Sequence, residues 1–121
     1  MPRTLQGIFA VSMLVNVATP ALAQELKCEI RQKYACEAAD CKSIPASVWS
    51  LIDIGKATYT RCDTRGCDTY GARFSVSGDF INIDVPGRGM VAKVSADHTS
   101  FLEVATMGLS VLTSFGLCRR N

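Results

Sequence analysis

The chain has 121 residues, with 13 Lys and Arg against 11 Asp and Glu, and 48% of it is apolar. That size and balance exclude a large enzyme, a multidomain protein, a disordered tail and a collagen-like fibre. The near-neutral charge gives no electrostatic reason to expect nucleic acid or an anionic membrane as a partner, because both reward a strong positive excess.

The first 23 residues read as a secretory signal peptide. Arg3 supplies a positive start, Gly7 to Ala18 is an apolar run, and Ala21-Leu22-Ala23 has the small-x-small form of a cleavage site. The run is too short to span a bilayer, which takes about 20 apolar residues. A helix is expected over 4–18, with cleavage between Ala23 and Gln24 and no stable membrane span afterwards. Lipoprotein anchoring is not expected either, since Cys28 follows Glu25-Leu26-Lys27 rather than small residues. The mature chain would then be one disulfide-stapled β domain, residues 24–121. Arg3 is the only charge lost, which leaves 12 basic and 11 acidic side chains.

Beyond residue 24 the dominant signal is period-two alternation broken by regularly spaced turns, the pattern of an all-β fold. Leu26 to Arg31 alternates apolar and charged, and the same register runs on to Tyr34 and Cys36. Leu26, Ile30 and Tyr34 also recur every four residues, which is the competing helical reading. Cys36 to Pro45 reads as a polar loop. Ser47–Ile54 and Ala57–Cys62 come next as a hairpin, with Gly55-Lys56 suited to a two-residue type II′ turn. A short helix from Pro45 to Ile54, ended by Gly55, is the alternative there. The β-forming Val48, Trp49, Ile52 and Ile54 favour the strand.

Asp63 to Gly66 is the next turn, and Thr69–Val76 a strand. Ser77-Gly78-Asp79 then reverses the chain into Phe80–Val85, with Ile81, Ile83 and Val85 facing inward. Pro86-Gly87 has the residues of a type II turn. Met90–Ser95 returns, Ala96 to His98 turns again, Ser100–Thr106 is a strand, and Met107-Gly108 leads into Leu109–Leu117. About eight antiparallel strands joined by turns predict a small up-and-down meander, barrel-like because closure removes exposed edges. An open sheet or a sandwich is the alternative. Side chains nearly fill an eight-stranded interior, so a roomy ligand cavity is not expected.

All six cysteines, Cys28, Cys36, Cys41, Cys62, Cys67 and Cys118, fall in the mature part. In an exported chain an even number reads as a disulfide framework. Cys36 to Cys41 and Cys62 to Cys67 are both C-x4-C. Two close pairs also contain the ingredients of a zinc site, but the oxidising compartment argues for bridges. Closure would set the first strand beside the last and bring Cys28 to Cys118, locking the seam. Local pairing within each C-x4-C segment is favoured slightly over crossed pairing, because the reach is short.

In a meander successive turns fall at alternate ends. Cys36–Pro45, Asp63–Gly66, Pro86–Arg88 and Met107-Gly108 would therefore share one end, and with them Lys42, Arg65 and Arg88. Rigid loops presenting basic side chains suit an acidic partner, because little ordering entropy is lost on binding. Turns favour polar and Gly residues in any case, and Asp40, Asp63 and Asp68 lie beside them. The one histidine, His98, follows Asp97 in a turn at the other end. Adjacency in sequence is not triad geometry. With no phosphate-cradling Gly loop, nucleophile elbow or histidine cluster, no catalytic residue, cofactor or metal is expected.

In size and build, and in Tyr59-Thr60-Arg61-Cys62-Asp63 and Ser77-Gly78-Asp79-Phe80, the chain resembles the periplasmic inhibitors of C-type lysozyme, small β-barrels with a disulfide. That family's inhibitory segment is S-G-x-x-Y. Here Ile81 stands at the Tyr position and a second motif is missing, so the inhibitory roles do not carry over. What the resemblance implies is a binding protein of the bacterial envelope, with a lysozyme-like enzyme as one candidate partner. The expectation is thus a periplasmic or secreted binding module or inhibitor acting on a macromolecule. A small-ligand carrier and a structural envelope protein are the alternatives, and a hydrolase using His98 the least supported.

Overall fold

The structure, a computed structural model, describes residues 25–121. The expected helix over 4–18 and the expected cleavage point lie outside the described residues. From Glu25 onward the chain forms ten strands and their connections: β1 (Glu25–Glu37), β2 (Asp40–Ile44), β3 (Trp49–Asp53), β4 (Thr58–Asp63), β5 (Gly66–Gly71), β6 (Arg73–Ser77), β7 (Phe80–Val85), β8 (Met90–Ser95), β9 (Ser100–Met107) and β10 (Ser110–Arg120).

Nine of these run in the order β5-β4-β3-β1-β10-β9-β8-β7-β6, every neighbour antiparallel, and curl into a nearly closed barrel. The two ends of that path, β5 and β6, are consecutive in the chain, with only Ala72 between them. The seam therefore does not lie at the Cys28–Cys118 pair. β1 and β10 are paired along their whole length, from Leu26 opposite Arg120 to Glu37 opposite Ser110.

Three local readings need correction. The polar loop expected over Cys36–Pro45 is mostly strand: Asp40–Ile44 folds back on β1 as β2, turning at Ala38, whose φ is 48°. The expected Thr69–Val76 strand overlaps two strands, because the chain leaves β4 and joins β7 at Ala72. The β3–β4 connection is a four-residue turn, Ile54 to Ala57, rather than Gly55-Lys56 alone. Asp53 Oδ1 accepts the Lys56 N–H at 2.9 Å, and Ala57 takes the left-handed conformation at φ 52°. An Asp side chain that captures a nearby backbone N–H can outweigh the preference of Gly for the bend.

The inner face holds a continuous apolar core of Leu26, Cys28, Ile30, Ile52, Ile83, Val85, Met90, Ala92, Val94, Phe101 and Ala105, together with the ring of Tyr59. These alternate along their strands with more exposed residues, as one-sided burial of a pleated strand demands. Each fully buried Leu or Ile contributes about 1.5–3 kcal/mol relative to exposure.

All six cysteines are disulfide-bonded: Cys28–Cys118 spans 90 residues of chain, while Cys36–Cys41 and Cys62–Cys67 each span five. Each bridge joins residues directly opposite on neighbouring strands. Such a framework belongs to an oxidising environment. Among the described residues no helix is long and apolar enough to cross a membrane.

Candidate functional site

The turns after β1, β4, β7 and β9 lie at one end of the barrel, its upper end. This end opens into a cavity of about 630 Å³, bordered by Lys33, Arg61, Arg65, Glu103, Met107 and Tyr70, among others. The sequence expectation of an interior without a roomy cavity fails here. Below, the barrel is filled by apolar side chains. Above Ile30 and Phe101 the inward positions of β1, β10 and β9 become Lys33, Ser114 and Glu103, while the apolar lining continues upward on β7, β8 and β9 with Val85, Met90 and Ala105.

Glu103 is only 2% exposed. A carboxylate so buried needs partners, and it has two. Arg61 Nη2 lies 3.0 Å from Oε1, and the Tyr59 hydroxyl donates to Oε2. Ser50 Oγ in turn lies 3.2 Å from the Tyr59 hydroxyl. With the Tyr proton directed to Glu103, Ser50 is left as the donor in that contact. The network therefore ties β3, β4 and β9 together across the interior. Burial first, then the Glu103 charge and hydrogen bond, push the Tyr59 hydroxyl well above the ordinary tyrosine range.

Lys33 reaches this layer through a register change. The β1–β10 ladder is regular up to Ile30 opposite Gly116, skips Arg31, and resumes at Gln32 opposite Phe115. A single extra residue reverses which side chains face inward. Lys33 therefore borders the cavity, while Tyr34 lies edge-on against Phe115 on the outer face. This corrects the expectation that the register of Leu26, Cys28 and Ile30 continues to Tyr34 and Cys36. Ser114 lies opposite both Lys33 and Glu103. Its hydroxyl is buried and has no hydrogen-bond partner among the described residues. Burial, and then the charge of Arg61, hold Lys33 below the usual lysine range, with Glu103 opposing them.

The residues singled out in the sequence are only partly brought together. Arg65 sits at the β4–β5 turn on the cavity rim, where Asp63 Oδ1 accepts its N–H at 2.8 Å and that of Gly66 at 3.2 Å. Arg88, in the β7–β8 turn, stacks over the Tyr70 ring at 5.0 Å, and Tyr70 borders the cavity. Lys42 stands apart, exposed on β2 opposite Ala35. The rim is also apolar: Met107 is 65% exposed and Leu109, at the tip of the β9–β10 turn, 99%.

His98 lies in the β8–β9 turn at the lower end, with φ 63°. The carboxylate of Asp97 is engaged elsewhere, accepting the hydroxyls of Ser95 at 2.5 Å and Thr99 at 2.7 Å. Those bonds, the Ser95 one foremost, hold Asp97 below the ordinary carboxylate range.

Sequence reasoning did not single out the Glu103–Arg61–Tyr59 network or Lys33 as a site. For Glu103 a signal existed: it stands between Phe101 and Ala105 in the inward register of one strand, and a charge at such a position is the informative exception. For Lys33 none did, because the skipped residue depends on β10. Comparison with known families, with characterised proteins and with solved structures finds no match.

Proposed function

We propose that the protein is an exported binding module, periplasmic or secreted, that holds a macromolecular partner at the upper end of its barrel. The observation that carries this reading is the composition of that end. An open, partly charged cavity is flanked by the stapled Arg65 turn on one side and by the exposed Met107 and Leu109 on the other. Exposed apolar side chains beside Arg on preorganised turns are what a protein interface uses, because few degrees of freedom remain to be lost.

The test is affinity capture with the oxidised protein as bait, purified lysozyme and envelope extract as separate prey, and Arg65→Ala/Arg88→Ala and Leu109→Asp as parallel baits. The reading expects one protein bound by the wild type at micromolar affinity or better and lost with both variants. A partner retained by both would place binding on another face. No partner in either prey would remove the reading.

A small-ligand carrier is the second reading, favoured by the cavity itself, whose volume of about 630 Å³ is within the usual range for small-molecule sites of about 300–1,000 Å³. Native mass spectrometry of protein purified from its own host would reveal a retained ligand.

A further inference from the structure

We propose that Lys33, Arg61 and Ser114 form a receptor for a carboxylate group on the inner wall of the upper cavity. This deepens the reading of the upper end as the receiving end, and rests on it, by naming the chemistry that enters.

The argument is one of unmatched donors. Glu103 is the acceptor of this layer, and its two oxygens are already engaged, one by Arg61 and one by Tyr59. Lys33 has neither an ion pair nor a hydrogen bond among the described residues, although it is half-buried. Beside it on the neighbouring strand, Ser114 is 1% exposed and its hydroxyl is unpartnered. A buried hydroxyl without a partner is uncommon and costly. A guanidinium carries five N–H donors, so one bond to Glu103 leaves Arg61 others to offer. Lys33 and Arg61 thus line the open cavity, and Ser114 lies buried just behind that lining, on the strand between Lys33 and Glu103.

Their charge selects the ligand. Among the other charged residues of the lining, Arg65, Asp63 and Asp68 (the last opposite Arg61 on β5) sum to one negative charge. Lys33 and Arg61 against Glu103 leave one positive charge on the inner wall itself. A carboxylate matches it with one negative charge and two acceptor oxygens. A doubly charged phosphate would add a surplus negative charge close to Glu103, where low dielectric makes repulsion expensive. Burial and Arg61 already disfavour the Lys33 ammonium, and a neighbouring anion would offset both effects.

The carboxylate can belong to a small organic acid or to the C-terminus of a peptide, and the experiment separates them. The oxidised, 15N-labelled full-length protein is titrated with benzoate against benzamide, and with a free hexapeptide against its C-terminally amidated form, watching the amides of Lys33, Glu103 and Ser114. Inorganic phosphate is a further probe. The expected result is saturable shifts with at least one free acid, about tenfold or more weaker binding on amidation, and similar weakening in Lys33→Met. The arm that responds identifies the source. Ser114→Ala, which removes one oxygen without adding bulk, should weaken binding too and serves if Lys33→Met does not fold. Lys56 is exposed in the β3–β4 turn at the lower end, so Lys56→Met is the control and should bind as the wild type.

Equal binding of acid and amide would overturn the proposal. So would tighter binding of phosphate, an unchanged affinity in Lys33→Met and Ser114→Ala, or no shift in either arm at about 10 mM. A partner captured through Arg65 and Arg88 alongside such a negative result would leave the binding-module reading standing and remove only this one.

Discussion

Gly116 lies opposite Ile30 in the β1–β10 ladder, and a Cβ at Gly116 would overlap the carbonyl oxygen of Glu29. The strands approach this closely just where β1 skips Arg31. Gly116 therefore permits the irregularity that turns Lys33 inward and Tyr34 outward. One missing methyl on the last strand decides which side chain of the first strand enters the cavity.

Gly116→Ala should accordingly destabilise the barrel by about 1–3 kcal/mol, the usual cost of forcing atoms into a packed site, since the clash is with backbone and not with a movable side-chain end. Urea unfolding measures it. A variant as stable as the wild type would mean that the strands separate there at no cost, and that Gly116 is not required for the bulge.

Glu103→Ala leaves the Arg61 guanidinium without its buried counter-charge and takes from the Tyr59 hydroxyl its acceptor. About 3 kcal/mol of stability should be lost, again by urea unfolding. Replacing Glu103 and Arg61 together by apolar residues should cost less than replacing Glu103 alone, because most of the loss comes from stranding the remaining charge.

The same network sets an alkaline limit. The unfolded chain loses the Tyr59 proton near pH 10, whereas the folded protein holds it to higher pH. Above pH 10 the folded state therefore binds more protons, so the contribution present below that pH falls as pH rises, by up to about 1.4 kcal/mol per unit. In Tyr59→Phe this component of the slope is absent, and the tyrosine absorbance released on alkaline unfolding is smaller. Identical slopes in the two proteins would show that the Tyr59 hydroxyl is not protected.

The three disulfides should differ in worth. Cys28–Cys118 closes a loop of 90 residues, which in the chain-entropy model stabilises by about 4–5 kcal/mol, against about 2 kcal/mol for each five-residue separation. Paired Cys→Ala variants should lower Tm most for Cys28/Cys118. Equal losses for all three pairs would contradict the loop-length account.

Ala57 bends left-handed at φ 52°, a conformation that costs a side-chain-bearing residue energy and glycine none. Ala57→Gly should raise stability by about 0.5–1 kcal/mol in spite of the added freedom of the unfolded chain. A loss, measured by urea unfolding, would mean that the methyl packs more usefully than the bend strains.

Much of this fold could be read along the chain because strand alternation, turn residues and cysteine spacing are local. Ile81, Ile83 and Val85 announce an inward face by period two. Pro86-Gly87 announces its turn, with Gly87 at φ 76° and the Arg88 N–H bonded to Val85 O. The antiparallel meander then fixes which turns share an end, which is why Arg65 and Arg88 could be placed at the same end of the barrel. Tertiary structure alone decided the site. Lys33 faces the cavity because Gly116, far along the chain, lets β1 slip by one residue. Glu103 meets Tyr59, 44 residues away, only when the sheet has curled round on itself. Alternation says which side chains share a face, but what lies across an interior depends on curvature and on register between distant strands, and both are set by the sum of all the pairings.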